Sequence, residues 1–191
     1  MLTMKSRNLL REYLHEVLKS APQKKLRVFD FDDTLVKTKS LIYVTSAGGE
    51  KFHLTPGEFA VYVPDQGDQF DFSDFSKLID PTEIKWTAKI LRNIVASGGE
   101  VVILTARADA APVHQFLEEA GIPPLEVVAL GNADPQKKAE YIAGRISTDS
   151  FSHIEFFDDS YKNVSAVKSL ETRFPDVKIV SRHVVHKTEI N

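Results

Sequence analysis

Carboxylates follow two of the apolar runs in this chain, at the point where each run ends. Residues 26–29 lead into Asp30-Phe31-Asp32-Asp33-Thr34, and residues 154–157 lead into Asp158-Asp159-Ser160. A third run, 101–104, leads into Thr105-Ala106-Arg107. A single Asp at such a place would be read as a helix N-cap. Two Asp-Asp pairs exceed what capping needs, and clustered carboxylates repel one another unless a cation neutralises them. All-oxygen ligands favour Mg²⁺.

These groups meet in space only if the apolar runs are neighbouring parallel strands, because ligands of open α/β sheets bind outside the carboxyl ends of the strands. The pattern alternates strand and helix, which predicts right-handed crossovers. We therefore expect an α/β fold with a Rossmann-like parallel sheet of about five strands and helices on both faces. The expected strands are 26–31, 101–105, 127–130, 154–158 and 177–180, and the expected helices are 81–97, 109–120, 135–146 and 161–173.

Two further segments are expected outside this core of residues 25–35 and 81–191. Residues 5–20 have apolar positions at helical spacing, which predicts an N-terminal amphipathic helix within residues 1–24. Residues 36–80 are expected to form a small cap or flap, with β-structure over 41–44 and 59–63 and an acidic loop over 64–80. Trp86 shares a helical spacing with Ile90 and Ile94, which predicts a core position.

Composition excludes several classes of protein. Among 191 residues there is no Cys, so disulfides and Cys-ligated metal sites are excluded. No apolar run approaches the length of a membrane span, and we expect a soluble, cytoplasmic protein without a membrane partner. Residues 1–27 hold seven Lys and Arg against two Glu, within a chain of net charge −3. Such an arm suits either a phosphate polymer or a solvated helix face.

The motifs resemble those of the haloacid dehalogenase superfamily. Asp30-Phe31-Asp32-Asp33-Thr34 after a strand is similar to its first motif, Thr105 to its second, Lys137 or Lys138 to its third, and Asp158-Asp159 to its acidic fourth. Helical spacing favours Lys138 over Lys137, because it shares a face with Ile142 and Ile146.

The resemblance implies a Mg²⁺-dependent phosphatase. Asp30 would be the nucleophile of an aspartyl-phosphate intermediate, and Asp32 the general acid and base. Thr105 would donate a hydrogen bond to the phosphoryl group, and the lysine would offset the developing charge. The resemblance also implies metal ligation by Asp30, by the backbone carbonyl of Asp32, and by Asp158 and Asp159, with the division between the last two left open. Substrate contacts are assigned to Thr34, Ala106, Arg107 and Lys137.

The motifs leave two classes of substrate open. Thr105-Ala106-Arg107 is similar to the Thr-Gly-Arg of polynucleotide-end phosphatases in the superfamily, which favours a nucleic-acid 3′-end, whereas the acidic loop favours a small phosphorylated metabolite or a nucleotide. Arg107 would either clamp a phosphate or form a surface ion pair with Asp109 or a neighbouring residue. A non-catalytic metal-binding module and a phosphomutase are the competing functions, and the oligomeric state is not predicted.

Overall fold

The computed structural model describes Leu9 and residues 24–185 of the chain. The predicted N-terminal helix over 5–20 therefore lies outside the described residues, apart from Leu9. Within the described part, no helix is both long enough and apolar enough to cross a lipid bilayer.

Ten strands and six α-helices form the described part of the chain. The strands are β1 Lys25–Phe29, β2 Val36–Lys37, β3 Ile42–Thr45, β4 Lys51–Leu54, β5 Gln69–Asp71, β6 Thr82–Glu83, β7 Glu100–Thr105, β8 Glu126–Ala129, β9 His153–Asp158 and β10 Lys178–His183. The helices are α1 Pro56–Val61, α2 Lys85–Ala96, α3 Ala111–Glu119, α4 Pro135–Asp149, α5 Tyr161–Lys168 and α6 Leu170–Arg173. A single turn of 3₁₀ helix covers Ser73–Ser76.

A five-stranded sheet in the order β10-β9-β1-β7-β8 forms the centre of the fold. Every neighbouring pair is parallel. Because β1 lies in the middle, the residues that follow it have the ends of β7 and β9 on either side. The predicted α/β class and five-stranded parallel sheet are confirmed.

The two faces of the sheet bury different helices, as the alternation of side chains along each strand requires. On β1, Leu26 and Val28 pack with α4, α5 and α6, including Ile142 of α4. Phe29 points to the opposite face and packs with α2 and α3, including Leu91 of α2. The strands are apolar on both faces, as expected for a parallel sheet covered by helices on both sides.

An insertion separates β1 from α2 and has its own small sheet. Strands β4, β3 and β5 pair antiparallel in that order. The chain enters and leaves the insertion through an antiparallel ladder between β2 and β6, in which Val36 lies opposite Glu83 and Lys37 opposite Thr82. We refer to residues 38–81, between these two strands, as the insertion.

One predicted strand of the insertion is wrong, because residues 59–61 belong to helix α1. Thr55 is the N-cap, and its hydroxyl accepts a hydrogen bond from the backbone N–H of Glu58, whose carboxylate accepts one from the N–H of Thr55. Pro56 occupies the first turn, where its missing N–H costs nothing. This capping box specifies a helix start that outweighs the β-propensity of Phe59 and Val61.

Three helix predictions also need correction. The helix expected from Pro81 begins at Lys85, because Thr82 and Glu83 are used in strand β6. Trp86 is 46% exposed, so it is not a core residue, although Ile90 and Ile94 do pack against the core. The helix expected over 161–173 is divided at Ser169 into α5 and α6.

Candidate functional site

Asp30 and Asp158 face one another across the carboxyl edge of the sheet, joined by a lysine. Lys138 Nζ lies 2.6 Å from Asp30 Oδ1 and 2.7 Å from Asp158 Oδ2. All three residues are buried. Asp30 directly follows β1, Asp158 ends the adjacent β9, and Lys138 comes from the first turn of α4. The structure therefore brings together groups that are 108 and 20 positions apart in the sequence.

The two lysines considered from the sequence lie in different surroundings. Asp134 caps α4 by accepting a hydrogen bond from the N–H of Gln136. This start of the helix directs Lys138 along the same buried face as Ile142. Lys137 is exposed and pairs with Glu140 at 3.0 Å. Its side chain does not line the cleft described below, and its assignment to substrate binding stays a prediction.

Three groups donate hydrogen bonds to the carboxylate of Asp158. Its Oδ1 accepts hydrogen bonds from the Ser160 N–H at 2.8 Å and from Asn163 Nδ2 at 3.0 Å, and Nδ2 also lies 3.0 Å from Oδ2. The side chain is completely buried. Asn163, on α5, thus fixes the orientation of the carboxylate that Lys138 neutralises.

Asp159 is the more accessible member of the second carboxylate pair. It is only half-buried and lines the cleft, and within residues 24–185 its carboxylate accepts no hydrogen bond. Its backbone N–H donates to Thr34 Oγ1 at 3.1 Å. Thr34 is completely buried, and its hydroxyl positions the chain at Asp159. Its assignment to substrate binding stays a prediction.

Burial and crowding alter the titration of these groups. Loss of hydration on burial, together with Asp158, raises the pKa of Asp30 to about 7, although Lys138 partly opposes the shift. Burial, Asp30 and Asp158 raise the pKa of Asp159 to about 8. Burial alone would lower the pKa of Lys138, but Asp158 and Asp30 outweigh it and raise that pKa. A single lysine therefore does not neutralise the cluster.

The three carboxylates are close enough to share one ion. Asp30, Asp158 and Asp159 each offer an oxygen, and these oxygens all lie within 4.8 Å of one another. Oxygen donors of this kind suit hard divalent cations, and Mg²⁺ in particular binds through one or two carboxylates with water completing the shell. The donor set therefore fits the Mg²⁺ expected from the sequence.

The side chain of Asp32 is bound by Arg107, and metal ligation by the Asp32 backbone carbonyl stays a prediction. The guanidinium donates through Nε to Asp32 Oδ2 at 2.8 Å and through Nη2 to Oδ1 at 2.7 Å. Its Nη1 donates to the carbonyls of Phe75 and Lys77 in the insertion. Arg107 is 3% exposed, so the surface ion pair with Asp109 is wrong. In this structure its planar fork holds the carboxylate of Asp32, and its assignment to substrate binding stays a prediction.

A tight turn sets Asp30 and Asp32 in place. The carbonyl of Phe31 accepts the N–H groups of Thr34, Leu35 and Val36, and Asp33 takes a left-handed φ of 53°, which Asp tolerates. Thr105 ends β7 on the other side, is completely buried, and accepts a hydrogen bond from the Arg107 N–H at 3.2 Å.

A cleft of about 520 Å³ opens over these residues. Its floor includes Asp30, Asp32, Lys138 and Asp159, with Thr105 and Ala106 at one side. Its other side is aromatic and comes from the insertion: Phe59, Tyr62, Phe72 and Phe75. Sequence reasoning missed these four residues. The available signal was the density of aromatic residues over 52–75, which exceeds what a small solvated loop needs.

Comparison with known proteins gives a partial similarity. No family model matches the chain. A 3-amino-4-hydroxybenzoate 4-O-methyltransferase from Streptomyces cremeus is 30% identical over 91 residues, which is 48% of this chain and 25% of that protein. The chain thus spans about a quarter of the length of the curated relative it matches.

This similarity corrects the family and the activity expected from the sequence. The matched protein is a methyltransferase, so the assignments to the haloacid dehalogenase superfamily and to phosphatase activity are wrong, as are the non-catalytic module and the phosphomutase. The expectation rested on short motifs at strand ends. The same edge collects polar side chains in α/β proteins of many activities, so motifs of this length do not fix the reaction.

Proposed function

We propose that this protein binds a divalent cation, Mg²⁺, through Asp30, Asp158 and Asp159, and holds an oxygen-bearing small molecule beside it in the cleft. The observation that carries the proposal is the grouping of three carboxylate oxygens within 4.8 Å at the edge of the sheet. The position supports it as well, because this edge is where α/β sheets bind ligands.

The residues around the carboxylates prepare the site. Lys138 offsets part of their charge, and Asn163 holds Asp158 in one orientation. Asp159 lies at the cleft, where its carboxylate faces an incoming ion. A bound cation would supply a Lewis acid that polarises an oxygen of the ligand. Asp30, Thr105 and Lys138 are proposed to contact that ligand, since all three line the cleft.

Titration with Mn²⁺, followed by electron paramagnetic resonance, tests the proposal, with Mg²⁺ as the competitor. We expect Mn²⁺ to bind the wild-type chain and Asp159→Asn to weaken binding by about 10- to 100-fold, since a ligand contributes at least as much as the groups behind it. The matched control is Asp134→Asn, which lines the same cleft and keeps a good N-cap residue. Equal affinity in Asp159→Asn and wild type would overturn the proposal.

The partial similarity favours a second candidate, transfer of a methyl group to an oxygen of a small molecule. One feature of this chain disagrees with it. The turn after β1, residues 30–35, contains no Gly, whereas nucleotide-type cofactors of related sheets approach the backbone through a Gly-rich turn at this place. We therefore derive no step through such a cofactor.

Incubation with S-adenosylmethionine, 3-amino-4-hydroxybenzoate and Mg²⁺, followed by mass spectrometry, tests the second candidate. Methyl transfer predicts a product heavier by one methylene unit that forms only with the protein present. Absence of that product from a chain that binds Mn²⁺ excludes methyl transfer to this acceptor and leaves the first candidate.

A further inference from the structure

The cleft has two chemically different sides, and the pairing of these sides indicates the class of ligand. The floor is charged and includes the proposed cation ligands Asp30 and Asp159. The lining that comes from the insertion includes four aromatic residues, Phe59, Tyr62, Phe72 and Phe75, which we call the aromatic wall. A ligand that fills the cleft must satisfy both sides at once.

Phe59, Phe72 and Phe75 of the aromatic wall form a connected series of rings, and Tyr62 joins it through Phe70. Phe59 and Phe72 meet edge to face with ring centroids 5.4 Å apart, and Phe72 and Phe75 lie 6.2 Å apart. The centroid of the Phe75 ring lies 4.9 Å from the guanidinium carbon of Arg107. Since Arg107 also binds Asp32 and two carbonyls of the insertion, the rings are tied to the floor of the cleft.

The wall is not sealed by the protein itself. Phe72 is 43% exposed even though three other rings surround it. Exposed aromatic surface that lines a concave site gains free energy when an apolar partner covers it. The volume of about 520 Å³ lies within the range of small-molecule sites, which extends from roughly 300 to 1,000 Å³.

The charged side chains at the floor of the cleft indicate the chemistry of the other end of the ligand. The floor and its immediate surroundings hold the carboxylates of Asp30, Asp32, Asp158 and Asp159 against the cationic groups of Lys138 and Arg107. A divalent cation bound by Asp30, Asp158 and Asp159 would lower the negative charge at this end of the cleft. Anionic oxygen atoms of a ligand would then be attracted to the cation.

We infer that the ligand is a small molecule with a flat ring that lies against the aromatic wall and with anionic oxygen atoms that face the cation. The inference rests on the proposed function for the position of the cation, and on the wall alone for the ring. Aromatic pairs contribute beyond the area they bury, which corresponds to about 2- to 12-fold in affinity.

Matched probes separate the ring from the charged group. We would measure binding of benzoate and of phenylphosphonate to the Mn²⁺-loaded chain by relaxation of the ligand protons, each against its saturated partner, cyclohexanecarboxylate or cyclohexylphosphonate. We expect each aromatic probe to bind about 2- to 12-fold more tightly than its saturated partner. The stronger of the two aromatic probes identifies the preferred anionic group.

Two variants locate the preference. Phe72→Leu keeps an apolar side chain at an exposed position, so the fold is retained, and we expect the preference for the aromatic probe to disappear while Mn²⁺ affinity stays unchanged. Phe52→Leu is the matched control, since Phe52 packs on Tyr62 from outside the cleft. Equal binding of aromatic and saturated probes to wild type would overturn the inference, as would a preference that survives in Phe72→Leu.

Failure of this inference and failure of the proposed function give different results. A chain that does not bind Mn²⁺ refutes the cation site. The ring preference is then measured on the metal-free chain by saturation-transfer difference, and its presence or absence still decides whether the wall selects a flat ring.

Discussion

A single buried ammonium group links the two strands that carry the carboxylates. Lys138 is 3% exposed and contacts Asp30 and Asp158 at once, so it compensates two charges that the sheet brings together. Buried ion pairs contribute little net stability compared with apolar residues, but loss of one partner leaves an unpaired buried charge. The lysine is therefore a positioning residue as well as a counter-ion.

Lys138→Met tests this role at the level of one side chain. We expect the variant to lose about 3–5 kcal/mol of unfolding free energy because the carboxylates remain buried without their partner. Mg²⁺ should restore part of that loss, since it supplies positive charge at the same place. Urea denaturation with and without Mg²⁺ measures both effects. Lys137→Met is the matched control, and a loss of equal size there would contradict the interpretation.

Residue spacing predicted some of this site and not the rest. Helical spacing identified Lys138 as the inward-facing lysine because its neighbours Ile142 and Ile146 lie one and two turns away. The partner of Arg107 could not be predicted in the same way, since Asp32 lies 75 positions earlier and the contact depends on how β1 and β7 pair. Local patterns specify direction, whereas partners across the fold depend on topology.

At the scale of elements, helix α1 brings Phe59 and Tyr62 towards the cleft. Its six residues are too few for an isolated helix to be stable, so its start depends on the capping box of Thr55 and Glu58. The sequence contains this signal, because Glu58 follows Thr55 by three residues. The apolar run 59–63, however, predicts a strand. Capping residues are more informative than propensity in a segment this short.

Thr55→Ala should loosen α1 without affecting the main sheet. Removal of an N-cap hydroxyl costs about 1 kcal/mol, which corresponds to roughly 5-fold faster local amide exchange. Hydrogen exchange measured at Phe59 and Tyr62 checks this, with the amides of β1 as the internal reference. Thr148→Ala, at an exposed position in the last turn of α4, is the matched control. Equal acceleration in β1 would show that the cap stabilises the whole chain.

Across the whole molecule, the acidic insertion is stabilised by its own carboxylates. Asp68 accepts hydrogen bonds from the Tyr62 hydroxyl at 2.7 Å and from the N–H groups of Asp65 and Ala47. Asp74 accepts the N–H of Leu41 at 3.0 Å. Asp68 and Asp74 of the predicted acidic loop therefore accept hydrogen bonds that hold the turns of the insertion together. Composition alone did not reveal this role of the two carboxylates.

Global stability should depend on pH through His153. Burial lowers the pKa of His153 below its usual 6.5, and the nearby charges of Lys25, Lys178 and Arg27 act in the same direction against Glu155. The unfolded chain therefore takes up the proton first. The stabilising contribution is present above pH 6.5 and is lost as the pH falls through that value and below it.

Urea denaturation of wild type and His153→Asn between pH 7.5 and pH 5.5 measures this contribution as a difference. The comparison with the variant is needed because Asp30 and Asp159, whose pKa values are raised, favour the folded state at lower pH. We expect wild type to lose stability relative to His153→Asn as the pH falls. His114→Asn, at an exposed position on α3, should follow wild type. A constant difference between wild type and His153→Asn would contradict the prediction.

The ladder between β2 and β6 makes the insertion removable by design. Lys37 and Thr82 lie directly opposite one another, so an Asn-Gly hairpin turn could replace residues 38–81 and join the two strands in their present register. Such a shortened chain would keep β1 and the carboxylates that follow it, and it would lose the four side chains of the aromatic wall. A different loop placed between the same two strands would then change which small molecule binds without changing the residues proposed to hold the ion.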